Sequence, residues 1–295
     1  MLKRSSIQWA VYVGLAPATV IAMLGYVGTM LWTIGISLTE SKMLPVARFA
    51  GLDQYARLFG TTRWIVSLQN MVIFGCLMIL ASLILGLLLA IALDKHVRGE
   101  GAFRTVLLYP YAISFIVTGF IWQWILNPEL GVQKTVRSWG FSNFQFDWIA
   151  QNETAIYCVV LAAVWHAAGL VMAIMLAGLR GIDRDLWNAA RVDGIKTWRV
   201  YLHIVLPLLR PNIITAVVLL ALGVVKLYDL VVALTGGGPG IASEVPAKFV
   251  MDNLFIRQNI GLAAAGATVL LITVLSVLAP WLYFEYFRST APRAK

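Results

Sequence analysis

Five stretches of this chain, residues 5–39, 64–93, 105–128, 154–179 and 258–284, contain no Asp, Glu, Lys or Arg. A hydrocarbon layer about 30 Å thick is crossed by about 20 residues of helix. Each stretch is therefore long enough to span a membrane. In lipid a segment must satisfy its own backbone hydrogen bonds, which leaves helices or closed barrels. Barrel strands would alternate apolar and polar residues over about ten positions, and these blocks do not. They are also too long for core helices of a soluble domain. Only 13% of the 295 residues are charged, about half the share usual in a soluble domain.

A sixth span is expected over about 208–234, although Lys226 and Asp229 interrupt its apolar run. The fold class is thus all-α integral membrane with six transmembrane helices, at about 9–36, 68–93, 104–126, 154–180, 208–234 and 260–286. The whole chain reads as one transmembrane domain. An even number of spans puts both termini on one side, and the Lys/Arg bias of the loops chooses the side. With the N-terminus inside, the inner segments hold 14 basic residues, from Lys3 and Arg4 to Arg293 and Lys295. The outer ones hold eight over longer loops, and Lys226 lies within a span. The orientation expected is N-in, C-in. The first block is too long for a cleaved signal peptide and is expected to be retained.

The net charge of +9 follows mostly from that topology. Nucleic-acid binding would need a concentrated basic face, so no nucleic-acid partner is expected. Cys76 and Cys158 fall inside spans and read as buried free thiols, without a disulfide framework. His96, His166 and His203 are far apart and offer no metal-site spacing; His166 reads as a packed histidine. No phosphate-loop pattern is present, and no catalytic set stands out, so the chain is not expected to be an enzyme. The aromatics at 139–148 suit an interfacial belt or a protein-facing surface.

The inner segment 181–207 is the polar exception. Asp183 or Asp185 can cap a helix, because a carboxylate accepts from the free N–H groups of its first turn. Residues 186–192 read as two turns. Gly194 is placed to adopt positive φ and end them, and Thr197 is placed to cap a second helix running into Pro207. Leu186, Ala189, Ala190 and Asp193 share a face by their i, i+3, i+4 spacing. Small side chains there let another element come close.

In the spacing Asn188-Ala189-Ala190, three residues, Gly194, nine residues, Ile204-Val205-Leu206-Pro207, the segment resembles the "EAA" loop of ABC-importer permease subunits. Asp193 before the glycine fits as well. The resemblance implies a cytoplasmic coupling helix between spans four and five. It docks into a cleft of the ATPase through Asp185, Leu186, Asn188, Ala189, Ala190, Asp193, Gly194 and Pro207. The family's first residue is usually Glu, whereas Asn188 keeps an acceptor and loses the charge.

On the fifth span, Lys226 and Asp229 are i, i+3. They either pair with each other or face a substrate path or gate, because charges at membrane depth need a partner or a cavity. Thr235-Gly236-Gly237-Gly238-Pro239 cannot continue a helix. Tyr228-Asp229 followed by this glycine turn resembles permeases of the maltose and glycerol-phosphate type, as do Asn70 and the run from Gly261 to Ala265. The resemblance implies that residues 235–239 lie near a docked solute-binding protein. It also implies sugar uptake by alternating access. Lys226, Tyr228 and Asp229, with Trp122 and Gln123 on the third span, are the candidate substrate-pathway residues.

The partners so implied are a second homologous permease in a heterodimer, two copies of a cytoplasmic ABC ATPase and a periplasmic or extracellular sugar-binding protein, all in membrane lipid. ATP and Mg would be bound by the ATPase and no cofactor by this chain. The compartment expected is the bacterial inner membrane. Two other classes remain: an ion-coupled secondary transporter, for which only Lys226 and Asp229 supply charges, and a multi-pass membrane enzyme.

Overall fold

The computed structural model describes residues 4–95 and 98–289; Lys3, His96, Arg293 and Lys295 lie outside the described residues. Among the described residues all regular structure is helical apart from one bridge between Thr39 and Phe49. The helices are α1 (Arg4–Ala22), α2 (Thr29–Ser37), α3 (Asp53–Gly60), α4 (Thr62–Asp94), α5 (Glu100–Ala112), α6 (Phe115–Leu126), α7 (Val132–Ser138), α8 (Ala155–Arg180), α9 (Arg184–Val192), α10 (Thr197–Val200), α11 (Leu206–Leu208), α12 (Arg210–Val225), α13 (Asp229–Leu234), α14 (Pro246–Met251) and α15 (Ile260–Ser289). A π-helical turn, Met23–Gly28, joins α1 to α2. Four unbroken helical segments are long and apolar enough to cross a membrane, and two bent pairs raise the number to six.

The chain forms two compact units, one of residues 1–61 and 249–272, the other of residues 62–248 and 273–295. In the first, Tyr12–Ser37 is a continuous apolar helix with nothing buried before Ile36. The corner after it is polar: Ser37 Oγ meets Tyr55 Oη at 2.8 Å and Gln54 Nε2 donates to the Thr39 carbonyl. Gly261 donates to the Ser41 carbonyl at 2.8 Å. A Cβ there would sit about 3 Å from Gln54, Thr39 and Ser41. That contact accounts for a glycine beginning the run whose Ala263, Ala264 and Ala265 are buried.

The second unit is built around α8, which is buried along most of its length and packs against α4, α5 and α12. Glycines set the approach. A Cβ on Gly86 would lie 2.5 Å from Val171, and one on Gly119 2.5 Å from Ala233. One on Gly169 would overlap the Leu107 carbonyl. Lipid tails are as apolar as leucine, so membrane helices associate through such close packing and not through burial. Cys158 is buried as expected, whereas Cys76 is exposed on α4.

Two expected spans are not single helices. The span at 104–126 is α5 and α6, bent by 100°. Pro110 lies inside the first, which ends at Ala112: Ile113 is extended, and Ser114 caps the second by accepting from the Val117 N–H. His166 fills the elbow, 4.3 Å from the Phe115 ring and 5.5 Å from that of Tyr111, with Nδ1 3.3 Å from Thr118 Oγ1. This is the packed histidine expected. The second bent pair is the helical run 197–208 and α12, bent by 67°. The span expected at 208–234 is divided again, into α12 and α13, because Leu227 N–H tightens onto the Val224 carbonyl and Tyr228 leaves helical geometry. Across that break Lys226 and Asp229 no longer share one helix face, and no ion pair joins them among the described residues.

The close contact at Gly169 makes a sharp comparison. Gly169→Ala is expected to destabilise the purified chain by about 1–3 kcal/mol through overpacking. Gly223→Ala, with nothing within 4 Å of its Cβ, is expected to be neutral or mildly stabilising, since alanine is the better helix former. Thermal unfolding of both in the same detergent measures the difference.

Candidate functional site

The segment after α8 forms a helix closed at both ends by its own residues. Asp183 is the N-cap, and its carboxylate accepts from the Asp185 N–H at 3.0 Å. At the other end Gly194 takes φ +66°. Its N–H reaches the Arg191 carbonyl at 3.1 Å while Ile195 N–H reaches that of Ala190 at 3.0 Å. That crossed pair is a Schellman closure, which needs a left-handed residue at the glycine position. Thr197 does not cap the next helix: Lys196 holds the N-cap position without a side-chain cap bond, and Thr197 is the first helical residue. From there α10, a π turn (Tyr201–Val205) and α11 run through Pro207 to Leu208.

The two alanines face different ways. Ala190 is buried in the chain's own core. Asp185, Asn188, Ala189, Asp193 and Gly194 are exposed, and Leu186 is half-buried. Ala190 therefore seats α9 on this chain and is not available for docking, because Trp187 on the same side packs against Tyr201 with ring centroids 5.4 Å apart. Val192, which the sequence reading passed over, is 87% exposed and is the most prominent apolar group of the outer face. Arg180, at the end of α8, pairs with Glu100 of α5 at 2.6 Å. Opposite charges beside the ends of two apolar blocks were the available signal for that pair.

The glycine loop is also a built structure. Gly236, Gly237 and Gly240 take φ of +63°, +88° and +58°, and the Gly238–Pro239 peptide is cis. Thr235 Oγ1 accepts from Gly237 N–H and meets Ser243 Oγ at 2.7 Å. Ser243 Oγ in turn lies 2.7 Å from the Gly238 carbonyl. Asn70 on α4 donates through Nδ2 to the carbonyls of Ala242 and Glu244, both at 2.9 Å. Arg63 pairs with Glu244, whose side chain is 1% exposed. Arg63, Ser243 and Glu244 were not singled out from the sequence; a Ser-Glu dipeptide next to a glycine turn carries no motif by itself.

The pathway candidates are only partly brought together. Gln123 of α6 lines a cavity of about 410 Å³ with Leu234, Thr235, Gly238 and Pro239, so the third span and the glycine loop share one wall. Trp122 turns the other way and meets Trp165 edge-on at 6.0 Å. Lys226 and Asp229 are exposed and Tyr228 half-buried, away from the lining of that cavity. In the 139–148 loop, Phe144, Phe146 and Trp148 stack on one another, while Trp139 and Phe141 are exposed.

The family model described as binding-protein-dependent transport system inner membrane component matches residues 82–286. Over 274 residues the chain is 36% identical to a probable ABC transporter permease protein of Pyrococcus horikoshii, covering 92% of this chain and 94% of that one. It is 33% identical to the xylose/arabinose import permease protein XacH of Haloferax volcanii, covering 96% and 88%. Its fold matches a chain in the crystal structure of a bacterial alginate ABC transporter in complex with an alginate pentasaccharide-bound periplasmic protein. The TM-score is 0.81 over 99% of both chains, at 20% identity.

Removing the Asn70 side chain strands two loop carbonyls. Asn70→Ala is expected to cost about 1–3 kcal/mol and to speed proteolysis or hydrogen exchange within 235–244. Asn70→Asp, which sets a carboxylate against those carbonyls, is expected to be worse. Unchanged loop protection in both variants would refute this account of the loop.

Proposed function

We infer, for a chain that belongs to the family of binding-protein-dependent transport system inner membrane components, the role of permease subunit in an ATP-driven importer of a sugar or sugar derivative. The relatives named above support the importer, and the xylose/arabinose permease supports the substrate class. The chain is then a multi-pass inner-membrane component with no catalysis of its own.

In this reading six spans, two of them the bent pairs, cross the membrane with both termini inside, as one transmembrane domain. The chain pairs with a second, homologous permease. Two copies of a cytoplasmic ATPase, which hold ATP and Mg, sit against the inner loops. A sugar-loaded binding protein docks outside, on the side of Thr235–Pro239. Alternating access follows: ATPase closure drives α9, α9 moves the end of α8, and the spans open outward. Hydrolysis resets the inward state.

The observation that carries the reading is the two-sided construction of α9. One side, with Trp187 and Ala190, is held by the chain itself; the other presents Asp185, Ala189 and Val192, and exposed Asn188 lies at the edge of the seated side. A helix capped at both ends and seated on one side can transmit a push as a rigid body. Gln123, Thr235 and the glycine turn form the outer wall of the sugar path; Lys226, Tyr228 and Asp229 belong to the path away from that wall, and Trp122 supports it from behind through Trp165. Lys226 and Asp229, exposed within a span, must face protein or water and not lipid.

The test uses the complete importer in proteoliposomes. Gly194→Val forces a β-branched residue to φ +66°, at a cost of about 1–3 kcal/mol. It is expected to abolish stimulation of ATP hydrolysis by the sugar-loaded binding protein and to cut uptake at least tenfold. Gly194→Asn, which tolerates left-handed geometry, should keep most of both. Normal uptake by the valine variant would overturn the coupling role.

A further inference from the structure

We propose that the cavity between the ends of α4 and α8 and the seated side of α9 binds a phosphate-bearing anion, supplied in the membrane by the headgroup of an anionic phospholipid. The cavity measures about 860 Å³, and its wall includes Lys95, Arg184, Arg191, Asn188, Trp187 and Tyr201. Arg180 and Glu100, which also line it, neutralise each other at 2.6 Å. That leaves Lys95, Arg184 and Arg191 facing one other carboxylate, Asp94. Among the described residues no ion pair engages any of the three. Asn188 contributes donors to this wall and no negative charge. A phosphate, with several acceptor oxygens, suits guanidinium groups that present paired donors.

Depth selects the source. The 26 residues of α8 are about 39 Å long and cross a core of about 30 Å, so the Arg180 end stands in the headgroup layer. Trp187 and Tyr201, packed against each other on the wall, are the residue types that settle at that level. The cavity opens on the side of α9 opposite its exposed Asp185, Ala189 and Val192. A cytoplasmic partner resting on the exposed face therefore leaves it vacant. A headgroup held there would tie the end of α4 to α9.

The experiment takes the intact complex, purified from its own membrane, into nanodiscs of phosphatidylcholine with stepped fractions of phosphatidylglycerol. Retained lipid is counted by native mass spectrometry. Wild type is expected to keep phosphatidylglycerol against an excess of phosphatidylcholine. Removing one cation should lower that retention about fivefold, and removing two about twenty-fivefold. The variants are Lys95→Gln and the double change Arg184→Gln, Arg191→Gln; the first lies off α9 and is read independently of coupling. A second arm uses millimolar inorganic phosphate without anionic lipid. Protection of Arg184 and Arg191 from arginine-directed modification would support the same site with free phosphate as its source. Equal phosphatidylglycerol retention by wild type and both variants would overturn the proposal. So would loss of a co-purifying ATPase from the variants with their lipid unchanged, which would assign these cations to that protein. Because the readout is bound lipid and not uptake, its failure stays separate from failure of the coupling role.

Discussion

The close approach of backbones around α8 is the constraint on which the rest of the second unit depends. Inside a membrane, apolar surface gains little by leaving lipid for protein, so adhesion between helices comes from contact at short range. Gly86 on α4 and Gly169 on α8 remove the side chains that would keep those helices from Val171 and Leu107. Gly178 does the same for Leu209 and Asn212, and Asn212 then donates to the Ile174 carbonyl at 3.1 Å. With α8 fixed on three sides, the segments at its two ends inherit a defined position.

Backbone breaks in such a setting must be repaired locally, because water is absent and each open group is costly. Two places in the second unit show two ways of doing so. Between α5 and α6 the repair is a serine cap and an aromatic-lined elbow closed by His166. After α13 it is a hydroxyl knot, Thr235 with Ser243, together with the amide of Asn70 reaching across from α4. The cost of interrupting the backbone is thus met by side chains, some of them distant in sequence.

Much of this was legible beforehand. The charge-free blocks located the long helices, and Asp183 or Asp185 with Gly194 marked the two ends of α9 because such roles are local. The glycine turn was also readable, since three glycines and a proline cannot continue a helix. What could not be read depends on three-dimensional neighbours. The span of Lys226 and Asp229 breaks because of geometry at Leu227 and Tyr228, neither of which is a helix breaker by composition. Ala189 and Ala190 look equivalent in the sequence; only the ring pair of Trp187 and Tyr201 shows that one is core and the other surface. Glu244 acquires its partners from α4, some 180 residues earlier in the chain.

The first long helix makes the opposite point. From Tyr12 to Leu31 every residue is exposed, so packing places little demand on which apolar residue stands at a given position there. Its sequence answers to its surroundings and to overall hydropathy alone. Such a segment can be exchanged for another of the same length and hydropathy at little cost to packing, whereas a side chain added at Gly86 or Gly169 meets its neighbour at once.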